Sequence, residues 1–74
     1  MRILNAQDFG AAIRSRRKEL GYTQAYVAGF AGCSTVFLSE LENGKPTVEF
    51  DRALRVATVL GIDLVASRRD GSEL

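Results

Sequence analysis

The sequence contains no histidine and no tryptophan, and only one cysteine, one proline and one methionine in 74 residues. Without histidine, the commonest general base and the commonest metal ligand are both missing. A single cysteine excludes an internal disulfide, and with no histidine beside it a structural zinc site has no ligand set. No phosphate-cradling glycine loop is present either. A chain this short rarely closes a substrate pocket. These absences argue against an enzyme, a cofactor and a bound metal. No segment approaches the 18 apolar residues of a membrane span. Met1–Leu4 is too short for the apolar core of a secretion signal, so a free thiol is expected in a reducing, cytoplasmic compartment.

Charge of one sign is also lacking. Ten basic and nine acidic residues leave +1. The distribution is less even than the sum: residues 1–45 carry +2 and residues 46–74 carry −1, and Arg14, Arg16, Arg17 and Lys18 fall within five positions. Leu, Ile, Val and Phe make up 21 residues, enough to exclude a disordered chain. A domain of this size buries only about 60% of its unfolded surface. With no disulfide or metal to add stability, a second copy of the chain is the expected supplement.

The pattern reads as all-helical. A first helix spans about residues 6–20. Asn5 is placed to cap it, with Asp8 three residues on, and Phe9, Ala12, Ile13 and Leu20 lie on one face. Thr23 caps a short helix over about 24–30, with Val27 and Ala28 inward. Ser34 caps a third over about 35–43, with Leu38 and Leu41 inward. A fourth, over about 48–60, is expected to start from a Thr47 cap and to bury Phe50, Leu54, Ala57 and Leu60. Gly21, Gly32, Gly44 and Gly61 follow the four helices as terminators. Residues 62–68 change to β-branched and small apolar types and read as a strand, with 70–74 a frayed tail. No other segment offers that strand a partner. Its backbone groups are expected to pair with the same segment of a second chain, through Ile62, Leu64, Val65 and Ala66. The alternative is an irregular tail packed on its own domain.

Two short helices joined at Ala31-Gly32-Cys33-Ser34 have the spacing of a helix-turn-helix. Further words surround it: Arg17…Leu20-Gly21-Tyr22-Thr23-Gln24, Val27-Ala28, Leu38-Ser39, Leu41-Glu42-Asn43-Gly44-Lys45 and Leu60-Gly61-Ile62. Taken together, these resemble the XRE-type, phage-repressor-like helix-turn-helix family over most of the chain, from about Phe9 to Ile62. The short strand-like tail further resembles HipB-type antitoxins. The resemblance implies a compact four-helix DNA-binding domain over residues 1–74, closed as a homodimer by its C-terminal strand. It implies a repressor of its own operon, binding an inverted repeat in double-stranded DNA and partnered by a HipA-like kinase toxin.

In such a fold the third helix enters the major groove by its N-terminal half. Thr35, Val36, Phe37, Ser39 and Glu40 are the expected base contacts: hydroxyls for base edges, a methyl for thymine, a carboxylate for cytosine N4. Arg14, Arg16, Thr23, Gln24, Asn43 and Lys45 are the expected phosphate contacts. Arg17 and Glu42, by family analogy, form an ion pair between helices one and three. The plainer readings are an Arg17 DNA contact and an exposed Glu42. Gln24 has an alternative as a simple helix-start residue, Ser34 reads as a cap alone, and Cys33 reads as a buried inert thiol or a redox sensor.

Two departures stand out. The recognition helix carries two acids and no base where phage repressors often show Gln or Lys. Tyr26, Gly29 and Phe30 stand where the family usually shows polar residues, which fits either a partner surface or packing against the first helix. Two other functions therefore remain open: a module that neutralises a partner without reading DNA, and a phage or restriction-control repressor with no toxin.

Overall fold

The computed structural model describes residues 1–74. Four helices follow in order: α1 (Ala6–Glu19), α2 (Gln24–Ala31), α3 (Thr35–Glu42) and α4 (Phe50–Val59). There is no sheet, and no helix is long and apolar enough to cross a membrane. The first three helices start from a side-chain cap. Asn5 Oδ1 accepts from the Asp8 N–H at 2.8 Å, Thr23 Oγ1 from Tyr26 at 3.1 Å and Ser34 Oγ from Phe37 at 3.0 Å. The Asp8 carboxylate in turn accepts from the Leu4 N–H and fixes the approach of the N-terminal arm.

One core joins the helices. Ile13 of α1, Val27 of α2, Leu38 and Leu41 of α3, and Val56 and Leu60 at α4 are fully enclosed. Small residues between them, Ala28 and Ala31 on α2 against Ala53 and Ala57 on α4, let those two helices approach closely. At Gly10, α1 lies close against α3. A β-carbon at Gly10 would overlap the Leu41 carbonyl oxygen and lie 2.8 Å from that of Glu42. A glycine at mid-helix normally costs about 1 kcal/mol relative to alanine. Here it is what allows α1 to cross the C-terminal end of α3.

The fourth helix departs from expectation. It starts two residues later than the sequence suggests, and its N-cap is Glu49, not Thr47. Val48 is drawn against the core before the helix begins, so Thr47 is left in the preceding turn. Glu49 makes no backbone cap; its carboxylate pairs with Arg52 at 3.0 Å. The buried stripe is accordingly Ala53, Val56, Ala57 and Leu60, while Phe50 is 67% exposed and Leu54 half-buried. Phe50 has the right period but stands at the first helical position, past the rim of the bundle.

The tail departs too. Residues 62–68 run without turn or bend, but they form no ladder in the single chain. Residues 70–74, expected to fray, fold back on them instead. Ser67 bridges Glu73, the Arg68 N–H donates to the Ser72 carbonyl at 2.6 Å, and the Leu74 N–H donates to Ala66. The turn is built from polar contacts. Asp70 Oδ1 accepts from both the N–H and the hydroxyl of Ser72. These hydrogen bonds hold the Asp70 carboxyl below its ordinary range. The Asp-Gly-Ser sequence at 70–72 is a turn signal, and it supplies the intrachain strand partner that alternating hydrophobicity alone does not reveal.

Candidate nucleic-acid interface

The second and third helices are locked together by one buried polar cluster. Arg17, 9% exposed, projects from α1 between them. Its Nε and Nη2 donate to the two Glu42 oxygens at 2.6 and 2.9 Å, and its Nη1 donates to the Tyr22 carbonyl at 2.8 Å. Gln24, the first residue of α2, donates from Nε2 to Glu42 Oε1 at 3.1 Å. One carboxylate thus ties the end of α1, the start of α2 and the last residue of α3. Burial pushes the Glu42 carboxyl up, but hydrogen bonds from Arg17 and Gln24 and the charges of Arg17 and Arg14 outweigh it, and the net shift is downward. The bond to Glu42 holds the Arg17 guanidinium above its ordinary range. No buried side-chain polar atom lacks a partner. A bidentate, satisfied pair of this kind fixes orientation more reliably than it adds stability.

What the lock orients is the open face of α3. Thr35 and Val36 are exposed, the latter by 67%, and Ser39 and Glu40 are half-buried beside them. Leu38, Leu41 and Glu42 occupy the inward side. Phe37 leans on the core, so only part of its ring is open. Asn43 is exposed at the helix end. Of the two acids on this helix, Glu42 is consumed by the buried lock and Glu40 pairs with Lys45 at 2.9 Å. Neither is a free negative charge.

The expected phosphate groups are scattered more widely. Thr23 caps α2, and Gln24 lies at the junction of α2 and α3. Arg14 is exposed and enters no ion pair. Arg16 is withdrawn from this set. Its Nε donates to the Leu60 carbonyl at 3.0 Å, where it satisfies the C-terminal end of α4, and its guanidinium also pairs with Glu19. Arg16 therefore faces the tail, a consequence of the 100° turn that separates it from Arg17 on the same helix.

A second surface lies at that end. Ile3 and Leu4 of the arm, Phe9 and Ala12 of α1, and Ile62 and Leu64 of the tail line an open apolar groove. Asp63, Leu64 and Val65 make no backbone hydrogen bond within the chain. The arm is not among the expected elements; its signal in the sequence is two apolar residues placed before the helix they do not join.

Tyr22, Tyr26 and Phe30 form an aromatic ladder up the outer side of α2, with centroids 4.8 and 5.0 Å apart. Tyr26 is 49% and Phe30 68% exposed. Cys33 is half-buried, and burial pushes its thiol up although Arg52 and Arg55 pull the other way, so it is a poor nucleophile. No group of three or more metal-ligating side chains converges anywhere.

Comparison with known proteins gives a family and a fold. Residues 13–66 match the helix-turn-helix family HTH_3. The chain is 42% identical over 67 residues to the "Uncharacterized HTH-type transcriptional regulator y4mF" of Sinorhizobium fredii (strain NBRC 101917 / NGR234), covering 88% of each. It is 32% identical over 62 residues to the ImmF control region 10 kDa protein of Bacillus phage phi105, covering 84% of this chain and 69% of that one. In fold it is similar to a chain of the HipA-HipB-O2-O3 complex, with a TM-score of 0.86 at 17% identity over 93% of this chain and 97% of that one. The chain belongs to the XRE-type helix-turn-helix family of transcriptional regulators, on a HipB-like fold.

Proposed function

We propose that the protein is a dimeric, sequence-specific DNA-binding repressor of its own operon and the antitoxin of a HipBA-like pair. One observation carries the DNA reading: the Arg17–Glu42–Gln24 lock holds the start of α2 and the exposed N-terminal half of α3 as a single rigid surface. In that reading Thr35, Val36 and Ser39 meet base edges, with Phe37 and Glu40 at the border of the contact. Thr23, Gln24 and Asn43 approach the phosphates, with Arg14 on the flank and Lys45 beside them but paired to Glu40.

Dimerisation follows from the arithmetic of half-sites. One chain has one recognition helix, and two half-sites about 34 Å apart need two. The open backbone of Asp63–Val65 and the apolar groove beside it support pairing through the tail. In an extended strand, alternate residues direct their hydrogen-bonding groups to opposite edges. Ala66 and Arg68 point theirs toward the returning tail, so the edge of Asp63, Val65 and Ser67 is the one left for a second copy. The likeness to a chain solved with HipA supports a HipA-like kinase as partner. The phage relative supports a second reading, a phage-control repressor with no toxin.

Selection from a random duplex library tests the first part. The expected product is an inverted repeat with half-site centres about one helical turn apart. Recovery of unordered sequence would contradict it. Co-purification of a kinase encoded beside the gene separates the antitoxin from the phage-type repressor.

A further inference from the structure

The pair Glu40–Lys45 is built into the end of the recognition helix. Gly44, at φ +83°, turns the chain so that the Lys45 N–H donates to the Glu40 carbonyl at 3.0 Å and the Gly44 N–H to Leu41 at 3.1 Å. This is a Schellman closure, and it brings the residue after the turn back over the third residue from the helix end. The side chains then meet as well, Lys45 Nζ donating to Glu40 Oε2 at 2.9 Å, with both half-exposed. Among the four ion pairs of the chain, this is the one formed by two half-exposed side chains at the recognition helix. Arg17, the other cation paired at that helix, is buried and spent on Glu42, while Arg14 is exposed and unpaired.

We infer that Glu40 is a positioning residue that holds Lys45 off the phosphate backbone and so attenuates DNA affinity, and that it does not read a base. The inference rests on the DNA-binding reading above. A lysine that neutralises a phosphate releases condensed cations and adds about one to the salt slope, but a lysine already neutralised by a carboxylate adds little. With a net charge of only +1, one masked cation is a large share of the attraction available. The consequence is a repressor with a weak backbone hold on every sequence, so that its affinity for the specific site rests on base contacts.

The test compares wild type, Glu40→Gln, Lys45→Ala and the double variant of the full chain on a scrambled 24-base-pair duplex, by fluorescence anisotropy across a salt series. Circular dichroism checks that all four fold. Glu40→Gln should tighten binding several-fold, roughly three- to tenfold, and steepen the salt slope by about one. In the Lys45→Ala background the same change removes only an unpaired carboxylate and frees no cation, so it should bring a clearly smaller gain. An equal gain in both backgrounds would overturn the inference, since Glu40 would then act by direct repulsion of phosphate. So would a loss of affinity for a selected duplex confined to one base pair, which would make Glu40 a base reader. If wild type binds no duplex at low salt, the DNA-binding reading itself fails and the inference with it.

Discussion

At the scale of single residues, Glu42 decides the most. Its carboxylate is the one acceptor shared by three elements, and the side chain is only 3% exposed. Glu42→Gln should cost about 3 kcal/mol, because it leaves the Arg17 guanidinium buried beside a neutral group. Thermal or urea unfolding reads this directly. The pH dependence follows from the sign of the shift. The Glu42 pKa is lower folded than unfolded, so the unfolded chain binds the extra proton. Its contribution is complete above the ordinary carboxylate range and is lost as pH falls through the lowered value. The variant should therefore lose the part of the acid-range slope that wild type shows, and an unchanged slope would assign acid sensitivity elsewhere. Arg17 shifts upward, so its contribution disappears only in strong base. Val36→Glu puts a carboxylate on the exposed face of α3 without touching the core. It should abolish specific binding and leave the helical spectrum intact; a lost spectrum would mean that this face is misplaced.

At the scale of elements, Gly10 sets how closely α1 crosses α3. Gly10→Ala has the better helix propensity, yet it should destabilise by about 1–3 kcal/mol, because the added carbon meets backbone carbonyls that cannot rotate away. A stabilised variant would show that the crossing is looser than described. The same scale explains what the sequence discloses. Caps and terminators are local chemistry, and Asn5, Thr23 and Ser34 are legible because each acts on the N–H three residues ahead. The start of α4 is not legible, because Thr47 has the right side chain and only the burial of Val48 places it outside the helix. Phe50 has helical spacing, and period alone cannot say where the bundle ends. Gly10 did carry a signal: a glycine kept inside an otherwise periodic helix implies a packing reason. The acids of α3 look unfavourable for DNA in one dimension. Their neutralisation by Arg17 and Lys45 exists only after folding, since Arg17 lies 25 residues from Glu42.

At the scale of the whole molecule, the groove is lined by no residue of α3, so each surface can be tested without disturbing the other. Leu64→Asp places a charge in the apolar groove between arm and tail, far from α3 in sequence. It should halve the mass in solution and weaken operator binding, because each chain then holds one half-site alone. An unchanged mass would remove the tail from the interface. Lys45→Ala should lower affinity for all sequences about equally but modestly, with the salt slope changed by well under one, because Glu40 already neutralises that lysine. The aromatic ladder of Tyr22, Tyr26 and Phe30 lies on the outer side of α2, and substitutions there should leave DNA binding unchanged.

The most direct measurement is fluorescence anisotropy of the purified chain against DNA from upstream of its own gene, with a scrambled duplex of equal length, at two salt concentrations. The protein should prefer the upstream DNA by about 10³ or more and keep that preference at the higher salt. Weak binding, equal for both duplexes and lost as salt rises, would contradict it.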